Sequence, residues 1–476
     1  MSLPTPSSVS LTPQARADRG VAARAETPLE QHAEFAAPPD RDAVSILEQQ
    51  AVSRVPSLVP IRYQRMLVSP FTYLRGAAAV MAADLAATPT SGLTTQLCGD
   101  AHLLNFGLFA SPERRLVFDV NDFDETFPGP WEWDVKRLAA SLLVAARDNG
   151  HAPKQQRSIV RGAVERYRKT MHEFAVQGHL AAWYAHLDVD EAAQTLLRPL
   201  GKRQRTDVTA TLAKARQHTS EQATAKLTTT EGGTRRFVAQ AELIEPVRTL
   251  LAGVDLEALQ KDVPVVLESF RGSLPSNVAV LFDRFDIVDM ARKVVGVGSV
   301  GTRSYVVLLR GRDDDDWLIL QVKEAQRSVL ADRSAPTTLP TYPNEGQRVV
   351  EGQRLMQATS DMFLGWVSAR DVYGADRRDY YVRQLRDWKG SAAVEVMSAK
   401  DLRSYGELCA WTLARAHARA GDRIAIASYL GDDDSFARAL VEFATSYAEQ
   451  TERDHAALAT RVSALLASGG TSAPPG

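Results

Sequence analysis

The chain changes texture once, and that change limits what it can fold into. From Asp286 to about residue 390 it turns valine-rich and alternating, as in DMARKVVGVGSVGTRSYVVLLRGRDDDDWLILQVKEA, with a glycine turn and then an acidic turn between the runs. Period-two alternation bounded by turn residues is the pattern of antiparallel strands, so strand–turn–strand–turn–strand is predicted here. NEGQRVVEGQRLMQATSDMFLGW then reads as a helix, and RDYYVRQLRDWKG as a further strand. The flanks have helical periodicity: in WEWDVKRLAASLLVAARDNG, Val135, Leu138, Leu142 and Leu143 share one face. With no internal repeat and one β-rich module between helical parts, the fold class is α+β.

The 476 residues divide accordingly. Residues 1–42 and 467–476, rich in Pro, Ser, Ala and Gly, are expected to be disordered tails. Residues 43–150 form a helical part with a strand–loop–hairpin inside it. Residues 151–285 are mostly helical around a polar middle, AKLTTTEGGTRRF, followed by the β-rich unit at 286–390 and a helical completion at 391–466.

Lys and Arg number 56 and Asp and Glu 58, giving a net charge of −2, so the chain is not a generally basic nucleic-acid binder. Lys202-Arg203-Gln204-Arg205 is expected to be a solvated helix face, and Asp313 to Asp316 a solvated turn. Cys98 and Cys409 are too few for a disulfide framework or a cysteine-rich zinc site. No apolar stretch is long enough to span a bilayer, and the N-terminus lacks a signal-peptide core. A cytoplasmic protein with no membrane partner is expected.

The densest polar constellation is Gly99-Asp100-Ala101-His102-Leu103-Leu104-Asn105, followed by Asp119, Asp122, Asp124 and Glu125. Carboxylates at the end of an apolar strand, beside another polar loop, suit a divalent cation bound by oxygen ligands. Asn105 follows Asp100 by five residues, the aspartate-to-asparagine spacing of a kinase catalytic loop. In that loop the aspartate takes the proton of the attacking hydroxyl and the asparagine holds magnesium. Asp122-Phe123 ends the run Leu116-Val117-Phe118, where a kinase places its metal-binding aspartate, and Asp134 opens the next helix.

A second half-site lies downstream. Gly296, Gly298 and Gly301 form G-x-G-x-x-G between two strand-like runs, which fits a loop covering phosphates. A strand and not a helix follows it, which disfavours a dinucleotide fold. Lys323 lies one strand later, where a phosphate-pairing lysine belongs. Glu351 or Glu345 on the following helix could orient it. The segment Asp379 to Leu385, with Tyr381 and Arg383, could be the strand and hinge whose backbone holds adenine. Arg65 and Arg75 could bind a substrate anion, or their stems could cover core surface.

LRGAA, LCGDAHLLNFG, FDVNDFDET, WEWDVKRLAASL, VGSVGTR, EGQRLMQ and YYVRQLRD resemble the bacterial domain-of-unknown-function 2252 family over roughly residues 45 to 460. More distantly, 99–134 looks like the catalytic half of the aminoglycoside phosphotransferases. Three departures accompany that second resemblance: Asp124 replaces the glycine of Asp-Phe-Gly, Arg303 stands where valine usually follows the glycine loop, and the two halves are in swapped order. The expectation is a circularly permuted, kinase-like two-lobe protein using ATP and Mg2+ to phosphorylate an acceptor that the sequence does not name. In this reading Asp100 is the base, Asn105 and Asp122 hold the metal with Asp124 as a third ligand, and Lys323 anchors phosphate. Nucleotidyl transfer from the same site, and a non-catalytic nucleotide-binding regulator, are the alternatives.

Overall fold

The computed structural model describes residues 11–467 except 39, 190–212, 214–215, 218–219, 242, 251–255, 295, 335–341, 371–375, 386–387, 389 and 391. Lys202 to Arg205 and the segments 1–10 and 468–476 therefore lie outside the described residues.

The chain is α+β, as its texture predicts. A helix α1 (Pro13–Glu26) comes first, and α2 (Pro70–Gly76) leads into strand β1 (Thr94–Leu97). A hairpin of β2 (Phe106–Ala110) and β3 (Leu116–Val120) follows, and β4 (Phe127–Pro130) returns to pair with β1. Two helices complete this part, α3 (Glu132–Asp148) and α4 (Pro153–Ala175). Helix α3 is buried almost all round, from Glu132 to Ala146, and so forms the axis of the helical body. Trp131, just before it, is fully buried and stacks on Tyr167 of α4 with ring centroids 5.6 Å apart.

The polar middle of the third segment is a β-hairpin of β5 (Thr228–Glu231) and β6 (Thr234–Phe237), turning on Gly232 and Gly233 at positive φ. A short strand β7 (Ile244–Pro246) and helix α5 (Leu256–Ser273) precede the β-rich unit. That unit contributes β8 (Asp286–Lys293), β9 (Ser304–Arg310), β10 (Trp317–Glu324), helix α6 (Glu345–Met356), β11 (Gly365–Arg370) and β12 (Arg377–Gln384). The six strands form one antiparallel sheet in the order β11-β12-β10-β9-β8-β7. The expected start of the β-rich part at 286 is therefore late, because β7 joins the sheet as its edge. The helix expected to run to Trp366 stops at Met356, and Gly365 to Arg370 are strand.

The pleat decides what each sheet face carries. Leu318, Leu320, Tyr380 and Val382 pack with Phe270, Leu274 and Phe282 on one face. Gln321, Lys323, Tyr381 and Arg383 belong to the other. The ladder pairs Lys323 with Tyr381 and Gln321 with Arg383, so these four side chains form one polar patch.

The last helices are α7 (Ala399–Ala420), α8 (Arg423–Leu430) and α9 (Ser435–Ala467). They correct the expected N-terminal tail. Residues 13–26 are helical, capped by the Thr12 hydroxyl, which accepts from Ala15 N at 3.2 Å. Gly20 brings α1 directly onto Ala425 and Ser428 of α8. Arg24 donates to the carbonyls of Tyr429 and Ser428, both at 2.6 Å. Alanine and glycine suggest disorder by composition, but here their small size permits close helix packing.

Candidate functional site

The loop after β1 is built by backbone constraints. Gly99 has φ +85, and a Cβ there would collide with the Glu125 carbonyl, so glycine alone lets this loop lie against residues 122–125. Behind it the buried Asp134 carboxylate accepts from Cys98 N at 2.8 Å and Gly99 N at 3.0 Å. His417 Nε2 reaches the same carboxylate at 3.2 Å, and its Nδ1 meets the Tyr167 hydroxyl at 2.8 Å. With its proton on Nε2, His417 donates to Asp134 and accepts at Nδ1 from the Tyr167 hydroxyl.

Asp100 is then fixed from two sides. Arg137, buried on α3, donates from Nε to Asp100 Oδ1 at 2.8 Å and from Nη2 to the Leu74 carbonyl at 2.7 Å. His102 Nε2 lies 3.7 Å from Asp100 Oδ2. Burial pushes His102 down to about 4, so it is neutral at pH 7. Its Nδ1 accepts from Leu104 N at 3.2 Å, which leaves the proton on the nitrogen facing Asp100. The Asp100 side chain keeps 18 % exposure, so one carboxylate oxygen remains reachable. Asn105 Nδ2 donates to the Asp100 carbonyl at 2.8 Å, which ties the loop ends together and leaves the amide oxygen as its acceptor end.

The lysine from the sheet arrives at the same place. Lys323 is buried; its Nζ pairs with Asp124 Oδ2 and lies 3.7 Å from Asp122 Oδ2, separations of 199 and 201 residues in sequence that the fold bridges. Burial presses the ammonium towards neutrality, but Asp122 and Asp124 outweigh it and raise its pKa, so it stays charged. Tyr381 donates to Asp124 Oδ1 at 2.7 Å, and Ser299, inside the glycine turn, donates to Asp124 Oδ2 at 3.3 Å. Asp124 is thus held by three protein donors. This argues against it as a third metal ligand and makes it the counter-ion of Lys323. Asp122 keeps 28 % exposure at its side chain, and its Oδ1 accepts from Asp124 N at 3.3 Å.

The glycine turn between β8 and β9 lies beside this centre. Arg54 donates to the carbonyls of Gly298 at 2.9 Å and Val300 at 2.5 Å, Arg65 to that of Gly296 at 2.7 Å, and Val55 N to that of Gly301 at 2.8 Å. Arg65 therefore braces the turn.

Two expectations change here. Neither Glu351 nor Glu345 pairs with Lys323: Glu351 takes Arg354 at 3.0 Å and Glu345 takes Arg348 at 2.5 Å. With Asp124 on the ammonium, the lysine needs no helix glutamate. Asp379 to Gln384 of the expected strand-and-hinge segment lie in β12, which β10 and β11 flank as far as Val382, and residues 386–387 just beyond it lie outside the described residues. Tyr381 and Arg383 face the site through side chains instead, and Arg383 donates across to the Asn121 carbonyl at 3.0 Å. Finally, Asp119 points inward to an ion pair with the buried Arg415 and accepts from Ala358 N at 3.0 Å.

Arg348 on α6 was not legible as a site residue. It is buried and donates to the carbonyls of Thr126 at 2.6 Å, Asp124 at 3.0 Å and Gln326 at 2.8 Å, holding the acidic loop against the lysine strand. A signal existed. Arg348 stands beside Val349 and Val350 on the buried face of its helix, as Arg137 stands beside Leu138, and a buried arginine needs a partner.

Glu125 adds a titration. Its Oε2 accepts from Val329 N at 2.8 Å, yet burial pushes it up to about 7 from an ordinary 4.5. The folded state then holds a proton that the unfolded state releases. The stabilising contribution is full below about 4.5 and is lost as pH rises through about 7. In that window Glu125→Gln is expected to flatten the fall of stability with pH by about 1.4 kcal/mol per pH unit. Urea midpoints measured from pH 5 to 7 check it; an unchanged slope would mean Glu125 ionises normally.

Among the described residues no group of three or more His, Cys, Asp or Glu could hold a metal ion. No described helix is long and apolar enough to cross a membrane. Taken together, these features define an α+β protein in which the loop that carries Asp100 packs on the acidic loop whose Asp122 and Asp124 meet Lys323 from the distant sheet. The chain belongs to the DUF2252 family, described as uncharacterised proteins conserved in bacteria, which it matches over residues 54–461. No curated protein and no solved structure matches it.

Proposed function

We propose that this protein is an ATP- and magnesium-dependent phosphotransferase with a circularly permuted, kinase-like arrangement. One observation carries the reading: Lys323, from a strand next to a glycine turn, meets Asp122 and Asp124 from the loop that follows the Asp100–Asn105 motif. The succession of glycine turn, lysine strand, helix and two further strands supports it, being that of a kinase nucleotide lobe. Asp122 and Asn105 fit a magnesium ion, which binds through one or two carboxylates and completes its shell with water and substrate phosphates. The ion would supply charge neutralisation on those phosphates. A cavity of about 150 Å3 lined by Leu108, Asn121, Met362, Arg383 and Leu385 adjoins the centre and is the candidate base pocket.

In transfer, Asp100 Oδ2 takes the proton of the acceptor hydroxyl. The acceptor oxygen bonds to the γ-phosphorus, and the bond to the β–γ bridging oxygen breaks to release ADP. Arg137 holds the aspartate in place, and Lys323 faces the phosphates. Catalysis then rests on positioning and charge.

Nucleotide that binds only the folded state, at about a hundred times its Kd, adds roughly 2.7 kcal/mol of stability. A thermal-shift titration with ATP is therefore expected to show a clear rise that needs magnesium, and Asp122→Ala is expected to remove the magnesium-dependent part. Equal shifts with and without the metal in the wild type would take Asp122 out of this role.

A further inference from the structure

Arg75, at the end of α2, is half-buried and differs from the buried arginines of the protein. Arg62, Arg137, Arg348, Arg415 and Arg423 each donate to a carbonyl or pair with a carboxylate. The Arg75 side chain makes no hydrogen bond or ion pair with any described residue, and its Nε is buried without a partner. Its Nη groups are not among the buried atoms, so the guanidinium opens to solvent with its Nε desolvated and its donors uncommitted, which is what an anion would take.

Its position says what would bind. Gly298 of the glycine turn approaches so closely that a Cβ would sit 3.1 Å from the Arg75 carbonyl. On the other side, Arg137 donates both to Asp100 Oδ1 at 2.8 Å and to the carbonyl of Leu74, the residue before Arg75, at 2.7 Å, which sets Asp100 close by; burial lowers the Arg75 pKa, and Asp100 and Glu395 raise it. The residue therefore stands between the glycine turn and the aspartate proposed to receive the acceptor. Arg65, the other arginine on this side, already braces Gly296.

We infer that Arg75 reads an anionic group on the acceptor, so that the substrate class is a hydroxylated small molecule also carrying a phosphate or carboxylate. Such an acceptor would present its hydroxyl to Asp100 while its anion takes the donors of Arg75, a charge-assisted and geometrically selective contact. This inference rests on the phosphotransferase reading for the word acceptor, but the anion pocket is tested separately.

Inorganic phosphate is the probe, followed by thermal shift and calorimetry on the full chain. Phosphate is expected to stabilise the wild type, and to do so equally with a non-hydrolysable ATP analogue and magnesium at saturation. Arg75→Gln is expected to weaken phosphate binding by about 10- to 100-fold, and Arg75→Lys to keep part of it. Neither change is expected to alter the analogue shift. If Arg75→Gln fails to fold, protection of Arg75 from phenylglyoxal by phosphate, read by mass spectrometry on the wild type, replaces it. No phosphate shift in the wild type, or an undiminished one in Arg75→Gln, overturns the inference. So does loss of phosphate binding on adding the analogue, since Arg75 would then serve the nucleotide. An Arg75-dependent phosphate shift without any nucleotide shift would sink the phosphotransferase reading and leave the anion pocket standing.

Discussion

Asp100→Asn is expected to lower phosphate transfer by about 10²- to 10⁴-fold, the usual contribution of a positioned general base. The substitution keeps the shape and leaves an oxygen to accept from Arg137 Nε, now at 2.8 Å from Asp100 Oδ1. What it removes is the carboxylate oxygen that takes the proton. It also leaves Arg137 without its counter-charge, although the bond from Nη2 to the Leu74 carbonyl remains. Loss of the buried pair can cost stability, so the assay must separate chemistry from folding. The magnesium-dependent ATP shift supplies that control, because in the proposed arrangement Asp100 faces the acceptor and Asp122 the metal. ADP release from ATP, measured with a small-molecule extract of bacterial cells as acceptor pool, should fall while the shift persists. Transfer that continues undiminished would remove Asp100 as the base. A wild type that binds ATP but transfers to nothing would favour the regulator reading.

The sequence made the two half-sites legible because each is local. Asp100 to Asn105 is a five-residue spacing on one loop, and Gly296 to Gly301 is one turn between strands. The antiparallel unit was equally legible, since alternation in SYVVLLR and WLILQVKE depends only on neighbours two residues apart. What stayed hidden is long-range. Asp124 reads as one acid among several until Lys323, Tyr381 and Ser299 converge on it from three segments of the sheet unit. Asp119 and Asp122 lie three residues apart, yet one faces Arg415 in the core and the other the cleft. No spacing rule distinguishes them, because the choice is made by α7 packing on β3. The helix glutamate was sought by position, and its expected partner had already been taken by Asp124.

Arg348→Met is expected to be the most destabilising single change near the site, by about 3 kcal/mol or more. Methionine fills similar space but donates nothing, so the carbonyls of Asp124, Thr126 and Gln326 lose their common donor. A buried acceptor left unpaired costs about 1–3 kcal/mol, and Glu345 also loses its partner. The comparison is Arg403→Met, which breaks an exposed pair with Glu407 one helical turn away and is expected to cost under about 1 kcal/mol. Function should follow stability here for a geometric reason. Arg348 joins the backbone of two segments, at Asp124 and Thr126 in the acidic loop and at Gln326 just past the lysine strand. Without it the distance from Lys323 to Asp122 is no longer fixed. The variant should therefore bind ATP and magnesium more weakly even well below its unfolding temperature, whereas Arg403→Met should bind as the wild type does. Thermal unfolding together with calorimetric titration reads both effects. A variant that unfolds early yet binds nucleotide with undiminished affinity would make Arg348 a support of the fold alone, with the spacing of the acid–lysine pair set by Tyr381 and Ser299.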